Sequence, residues 1–346
     1  AETKIVQKYA VEPQMTWEVS LFGALRNSTR AARAELLSSQ WALRGVMLSL
    51  TAEVATTYFQ LLGYRRNLRI AERSYALRRE SAALIDSMYR HGMANGVALQ
   101  QARSLVYTAA ADIPTYRRAV AQMQLTLCTL LGENPQRPQD VGAGVCLMED
   151  YRPVDVPVGL PSELLERRPD IMQARYDMLA AAAEVGVARG NRFPSIALTA
   201  KGGAASNSIK GLTSANPWAW DALGSLTLPV FNFGRLRRAE QAAMERYTQS
   251  ALTYEQTVLT AFSDVEQALV AITTYRRQTE RYGELVLAND RIAAMTQALY
   301  RSGLSDYLDV IDAQRSLYQS QMEFVNLVAQ QYINYVNLCK ALGGGW

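Results

Sequence analysis

From Gly23 to Gly92, and again from Gly234 to Gly303, the chain contains no proline, and only Gly45, Gly63 and Gly283 interrupt a run rich in Ala, Leu, Glu, Gln and Arg. These are the strong helix formers, so each stretch predicts one very long helix. About 68 residues at about 1.5 Å rise would extend on the order of 100 Å, a length that holds together only when coiled against neighbours. Short breaks follow at Gly92-Met93-Ala94-Asn95-Gly96 and at Gly303-Leu304-Ser305-Asp306. Returning helical patterns then occupy about 97–131 and 306–341, which predicts two antiparallel helical hairpins. Val310, Ile311, Ala313, Leu317, Tyr318, Met322, Val325, Val328, Tyr332 and Val336 cover more than one narrow seam, so the second returning helix is expected to pack on two sides. Pro114 has no counterpart at Val325 and predicts a kink in the first hairpin alone.

Just before each long helix the hydrophobic period changes from helical to alternating. Trp17, Val19 and Leu21 oppose Thr16, Glu18 and Ser20 within Met15 to Phe22. Ile196, Leu198 and Ala200 oppose Ser195, Ala197 and Thr199 within Pro194 to Lys201. Gly224, Leu226, Leu228 and Val230 oppose Ser225, Thr227 and Pro229 within Leu223 to Phe231. Three strands with one apolar and one polar face suit a membrane barrel, apolar toward lipid and polar toward a lumen. The Gly-, Ser- and Asn-rich stretch 202–220 reads as an exposed loop returning to interfacial Trp218 and Trp220.

The two halves repeat one another. Phe22-Gly23 matches Phe233-Gly234, Tyr64-Arg65-Arg66 matches Tyr275-Arg276-Arg277, Tyr89-Arg90 matches Tyr300-Arg301, and Leu131-Gly132 matches Leu342-Gly343. Every pair is offset by 211 residues (233 − 22, 275 − 64, 300 − 89, 342 − 131), so the unit tolerates no insertion. Leu160-Pro161-Ser162-Glu163 predicts the start of a further helix running to about Arg189. The first-repeat counterpart of Pro161 to Lys201 falls before residue 1, so the first helix and strand of repeat 1 are expected to be absent from this chain.

Composition narrows the function classes. A formal charge of +4, with acidic and basic residues interspersed, predicts no nucleic-acid partner. Cys128, Cys146 and Cys339 are an odd, widely spaced set that fits buried free thiols better than disulfides or a metal knuckle. No run reaches about 18 consecutive apolar residues, so contact with a membrane is expected through strands. The single histidine, His91, sits in a predicted turn, and no phosphate loop, dinucleotide fingerprint or HExxH is present. The chain is read as no enzyme, with no catalytic residues, no metal site and no cofactor. Helices alone would fit a soluble coiled-coil scaffold without a pore, which remains the alternative; such a scaffold would stay in buffer without detergent.

The stretches LPSELLERRPDI (160–171), NRFPSIALT (191–199), PVFNFGRLR (229–237), YLDVIDAQRSL (307–317) and the terminal ALGGGW, in that order, resemble the TolC/OprM-like outer-membrane efflux family, in its NodT-type lipoprotein branch. The resemblance implies a mainly α chain with membrane β, forming a homotrimer that combines a twelve-stranded β-barrel in outer-membrane lipid with a periplasmic α-barrel. It implies a passive conduit for drugs or other small molecules, working with a periplasmic adaptor protein and an inner-membrane efflux pump. It also implies a lipid-bearing cysteine upstream. On this scheme residues 1–22 form an extracellular loop and strand, 23–131 the first hairpin, 132–159 an equatorial linker and 160–190 the helix of the second repeat. Residues 191–233 form the barrel hairpin with its extracellular loop, 234–342 the second hairpin and 343–346 a tail.

Leu308, Asp312 and Arg315 lie at i, i+4 and i+7 and share one helical face. The resemblance places them at the periplasmic mouth as a pore gate, with apolar, acidic and basic rings; Val97, Gln101 and Ser104, their counterparts in the first hairpin, carry no charge. The turns carrying Tyr89, Arg90, Gly92 and Asn95, and Tyr300, Arg301, Gly303 and Ser305, are expected to dock the adaptor. Tyr-Arg-Arg at 64–66, 116–118 and 275–277 is expected to form a girdle neutralised by the acidic linker.

Overall fold

The computed structural model describes residues 9–134, 166–207, 209–213 and 218–344. Strands β1 (Tyr9–Val11) and β2 (Gln14–Val19) precede helices α1 (Ala24–Arg90) and α2 (Gly96–Leu130). Helix α3 (Pro169–Gly190), strand β3 (Ser195–Ser206), a 3₁₀ turn (Ile209–Thr213) and strand β4 (Trp218–Thr227) follow. Helices α4 (Arg235–Arg301) and α5 (Tyr307–Ala341) complete the chain. The mainly helical, long-hairpin architecture is the one expected.

The 211-residue repeat holds residue for residue. Helices α1 and α4 each have 67 residues, α2 and α5 each have 35, and all four starts are separated by that same offset. Their ends share one device. Gly92, Gly132, Gly303 and Gly343 have φ of 74°, 72°, 78° and 91°, and the residue after each donates its N–H back to the Met88, Cys128, Leu299 or Cys339 carbonyl. Glycine enters this left-handed region without a Cβ penalty and closes the helix while satisfying its last carbonyls. Helix α2 restarts on Asn95, whose Oδ1 accepts from the Ala98 N–H at 2.8 Å. Pro114 lies within α2, which continues on both sides of it.

The chain divides into two compact units, residues 1–43 with 170–258, and residues 44–169 with 259–346. The first holds the antiparallel sheet. Strand β3 pairs with β2 from Ser195's neighbour Ile196↔Val19 to Lys201↔Gln14, and with β1 from Ala204↔Val11 to Ser206↔Tyr9. Both pairings keep one register, so β1 and β2 are a single strand line relaxed at Glu12-Pro13. On its other side β3 pairs with β4, Ser195↔Thr227 to Ala204↔Trp218. In the same unit Ser38 Oγ donates to Asp177 Oδ1 at 2.6 Å, and Phe22 stacks on Phe193 with centroids 4.6 Å apart. Small residues let helices α1 and α3 approach closely, and a Cβ on Gly190 would lie 2.9 Å from that of Ala24.

Several sequence expectations change here, and the strand expected over Met15 to Phe22 spans Gln14–Val19. Strand β1 was not anticipated, and β3 runs five residues beyond Lys201 into the expected loop. Gly202 and Gly203 weaken strand propensity, but the pairing requires glycine at 203, because a Cβ there would lie 2.0 Å from the Val11 carbonyl oxygen. Strand β4 begins at Trp218 and ends at Thr227, not at Phe231, because Pro229 ends its capacity to donate. The helix expected from Pro161 is interrupted at Arg168 and α3 begins at Pro169, since the residue before proline is driven out of the helical region. The start at 160–165, the linker 135–159 and Cys146 lie outside the described residues; Cys128 is a buried free thiol and Cys339 a half-buried one.

In the second unit, Ile85, Leu99, Ala102, Leu105, Tyr307, Val310 and Ile311 form one core cluster joining α1, α2 and α5. Leu62 and Val328, flanked by Phe59 and Tyr332, form another. Arg168 is buried among the last residues of α5: its Nη1 donates to the Ala341 carbonyl at 3.1 Å and its Nη2 to Asp264 at 3.0 Å, so a cation caps the negative end of that helix.

Gly203→Val is expected to abolish the β1–β3 pairing through collision with Val11 and Glu12. Heat-modifiable, membrane-inserted protein on a gel should fall at least several-fold, whereas Gly202→Ala, whose Cβ meets nothing closer than 3.7 Å, should be tolerated.

Candidate functional site

Register sorts the sheet residues into two faces, because directly paired residues in an antiparallel ladder share a side. One face carries Val11-Ala204-Trp218, Met15-Ala200-Ala222, Trp17-Leu198-Gly224 and Val19-Ile196-Leu226. These rows are apolar, with Tyr9 and Ser206 paired at the end of the same face, and Trp17, Trp218 and Trp220 are widely exposed on it. The other carries Gln14-Lys201-Asp221, Thr16-Thr199-Leu223 and Glu18-Ala197-Ser225. There Lys201 Nζ lies 3.4 Å from Asp221 and the Thr16 and Thr199 hydroxyls are 3.3 Å apart. An exposed apolar sheet face backed by a hydrogen-bonded polar face separates hydrocarbon from water. No described helix is long and apolar enough to cross a membrane.

At the other landmark, α5 splits along its length. Val310, Ile311, Ala313 and Gln314 are buried, whereas Leu308 is 53% exposed and Asp312 and Arg315 point outward. The three predicted gate residues therefore do share one free face, held in place by the opposite face packing on the first hairpin. Asp312 and Arg315 sit 3.9 Å apart with more than half of each side chain in solvent. Such a pair contributes little to stability by itself. Val97, the first-repeat counterpart of Leu308, is also exposed.

The two turns are adjacent, since the Tyr300 hydroxyl lies 3.6 Å from Met88 Sδ. They are not equivalent. Tyr89, Arg90, Gly92 and Asn95 are exposed, with Arg90 held by Asp86 at 2.6 Å. In the second turn Arg301 and Gly303 are exposed, but Tyr300 packs inward against Tyr307, with ring centroids 5.3 Å apart, and Ser305 is half-buried and donates to Asp309 at 2.7 Å. His91 donates from Nδ1 to the Ser87 carbonyl, 2.8 Å away, as a helix-end contact.

Sequence reasoning missed a polar lock below the gate face. Arg78 on α1 is buried, donates from Nη1 to the Leu105 carbonyl at 3.4 Å and lies 5.1 Å over the Tyr318 ring. The Tyr318 hydroxyl donates to Asp112 Oδ2 at 2.9 Å. Three helices thus meet in one charge-assisted contact, one turn from Arg315. Burial lowers the Arg78 pKa, against the opposing pull of Tyr318 and Asp112, and Arg315 lowers it further. Burial and the bond to Asp112 raise the Tyr318 pKa, and burial followed by Tyr300 pushes Tyr307 up to about 12. The sequence signal was available only as residues spaced 34 and 206 apart, which no local pattern connects. Of the Tyr-Arg-Arg set, Arg117 pairs with Glu72 at 2.9 Å and Arg276 with Glu280 at 3.5 Å, partners on the helices themselves; residues 135–159 of the acidic linker lie outside the described residues. Among the described residues no group of His, Cys, Asp and Glu is placed to hold a metal ion.

A two-faced sheet with long paired hairpins and no reactive constellation among the described residues defines a membrane channel subunit. Residues 1–133 and 160–344 match the Outer membrane efflux protein family, and the chain belongs to that family. It is 35% identical over 345 residues to the solvent efflux pump outer membrane protein SrpC of Pseudomonas putida, covering 100% of this chain and 73% of that protein. It is 32% identical over 346 residues to the cation efflux system protein CusC of Escherichia coli, covering 100% and 74%. A membrane protein from Pseudomonas aeruginosa superposes with a TM-score of 0.90 at 31% identity, over 99% of this chain and 82% of the other. The chain is the outer-membrane channel component of a Gram-negative efflux system, and it is not an enzyme.

Tyr318→Phe removes a hydrogen bond to a carboxylate and should cost about 2 kcal/mol, read as a lower denaturation midpoint in detergent. In alkaline titration followed by tyrosinate absorbance, Tyr307 should ionise near pH 12. Because its folded pKa lies above the unfolded value near 10, its contribution is intact below pH 10 and declines as pH rises toward 12.

Proposed function

We propose that Leu308, Asp312 and Arg315 form the closed mouth of the conduit, three copies of each making an apolar, an acidic and a basic ring at the periplasmic end of a homotrimer. The observation that carries this reading is the division of α5 into a buried face seated on the first hairpin and a free face bearing these three residues. An apolar constriction excludes hydrated solutes, and a carboxylate ring favours cations over anions. The lock of Arg78, Asp112 and Tyr318 holds α5 in this position, so opening requires that α5 move relative to α1 and α2.

The remaining assignments follow the same frame. The apolar face of β1–β4 meets outer-membrane lipid, and the end of the sheet at Ser206 and Trp218 faces the cell exterior. The exposed part of the turns, Tyr89, Arg90, Gly92, Asn95, Arg301 and Gly303, receives a periplasmic adaptor that connects the channel to an inner-membrane pump. Tyr300 and Ser305 support the second turn from inside. The channel conducts drugs or other small molecules passively. Its relatives, one of a solvent efflux pump and one of a cation efflux system, support a duct whose cargo is chosen elsewhere.

Asp312→Ala combined with Arg315→Ala is expected to raise single-channel current in planar bilayers several-fold, with Tyr318→Phe giving a smaller increase. Unchanged current in the double variant would remove the gate. Cysteines at Asn95 and Ser305 should cross-link to the adaptor, with Asn95, the more exposed, giving the higher yield; no adduct at either would remove the docking assignment.

A further inference from the structure

The contact between the two hairpins within the chain contains a second contact that the chain leaves unmade. Three of the side-chain links that join hairpin α1–α2 to hairpin α4–α5 are Tyr318 to Asp112 at 2.9 Å, Asn67 Nδ2 to Asn326 Oδ1 at 3.0 Å, and Tyr300 to Met88 at 3.6 Å. The first hairpin contributes Asp112, Asn67 and Met88, and the second contributes Tyr318, Asn326 and Tyr300.

Applying the 211-residue offset exchanges the roles. Asp112, Asn67 and Met88 become Glu323, Gln278 and Leu299 on the second hairpin, and Tyr318, Asn326 and Tyr300 become Tyr107, Thr115 and Tyr89 on the first. The chemistry survives the exchange: a phenol faces a carboxylate, an amide faces a hydrogen-bonding side chain, and a tyrosine ring faces an apolar side chain. The geometry of the hairpins survives as well. Arg78 Nη1 donates to the Leu105 carbonyl at 3.4 Å, and the corresponding Asn289 Nδ2 donates to the Ser316 carbonyl at 3.3 Å. Every residue of the exchanged set is exposed, with Tyr107 at 69%, Tyr89 at 46% and Leu299 at 42%. A phenol and a carboxylate matched this way on the two outer edges of the chain are complementary to each other and, within one chain, remain apart.

We infer that these edges meet between copies: the Tyr107 hydroxyl of one copy donates to Glu323 of the next, Gln278 of that next copy bonds Thr115, and its Leu299 covers Tyr89. This rests on the channel-assembly reading above and gives it a residue register. The contact is head-to-tail, so it continues from copy to copy until the ring closes. It lacks the cation of the contact inside the chain, because Asn289 stands where Arg78 does.

The test uses the full chain in membranes with a short bis-maleimide. The pair Tyr107→Cys with Glu323→Cys should yield dimers and trimers on a denaturing gel, each single variant should stay monomeric, and Asp112→Cys with Tyr318→Cys should yield only an internally linked monomer. Glutaraldehyde trimers without a 107–323 product would overturn the register while leaving the assembly; monomers under both reagents would overturn both. As a second measurement, Tyr107→Phe and Glu323→Gln should each lower the temperature at which the trimer dissociates, and the double variant should lower it no further than the stronger single one. Additive shifts would overturn the pairing.

Discussion

Two 67-residue helices cannot be stabilised from their ends, so everything in this chain depends on lateral packing between its hairpins. That packing is a thin layer. Ile85, Leu99, Leu105, Val310 and Ile311 supply the apolar part near the turns, Leu62 and Val328 another part farther along, and Arg78, Asp112 and Tyr318 a polar contact between them in sequence. Apolar contact sets the area, but it tolerates sliding. The tyrosine–carboxylate bond and the Asn67–Asn326 bond have fixed geometry, and they set the register of one hairpin on the other.

Register matters because the functional face of α5 is defined by what lies behind it. Leu308, Asp312 and Arg315 are free because Val310, Ile311, Ala313 and Gln314 take the buried side of the helix. Rotating α5 by one residue, about 100°, would bury a carboxylate and expose Val310 or Ile311. The same logic operates in the sheet at a period of two. A one-residue slip of β3 would put Lys201 among the tryptophans, and the matched rows from Val11 to Leu226 make that slip costly.

Much of this was legible in the sequence. The four long helices, their turns and the 211-residue offset followed from proline absence, glycine position and helix-former content, all of which act locally. The face shared by Leu308, Asp312 and Arg315 followed from helical spacing alone. Strand β1 and the extension of β3 were illegible for a physical reason: Gly202 and Gly203 look like loop residues until Val11 and Glu12 are seen to pass over them. The halt at Arg168 carried a local signal, Pro169, that was outweighed by the helix start expected at Pro161.

By itself, then, the order of residues determined the elements, the internal repeat and the two-faced character of the strands, because each is set by neighbours within a few positions. The tertiary structure alone decided that Arg78, Asp112 and Tyr318 form one contact, that Tyr300 turns inward while Tyr89 stays in solvent, and which face of α5 is left free. Those outcomes depend on side chains from helices distant in sequence meeting at a common height, and no local periodicity encodes which of several exposed polar residues will find a partner there.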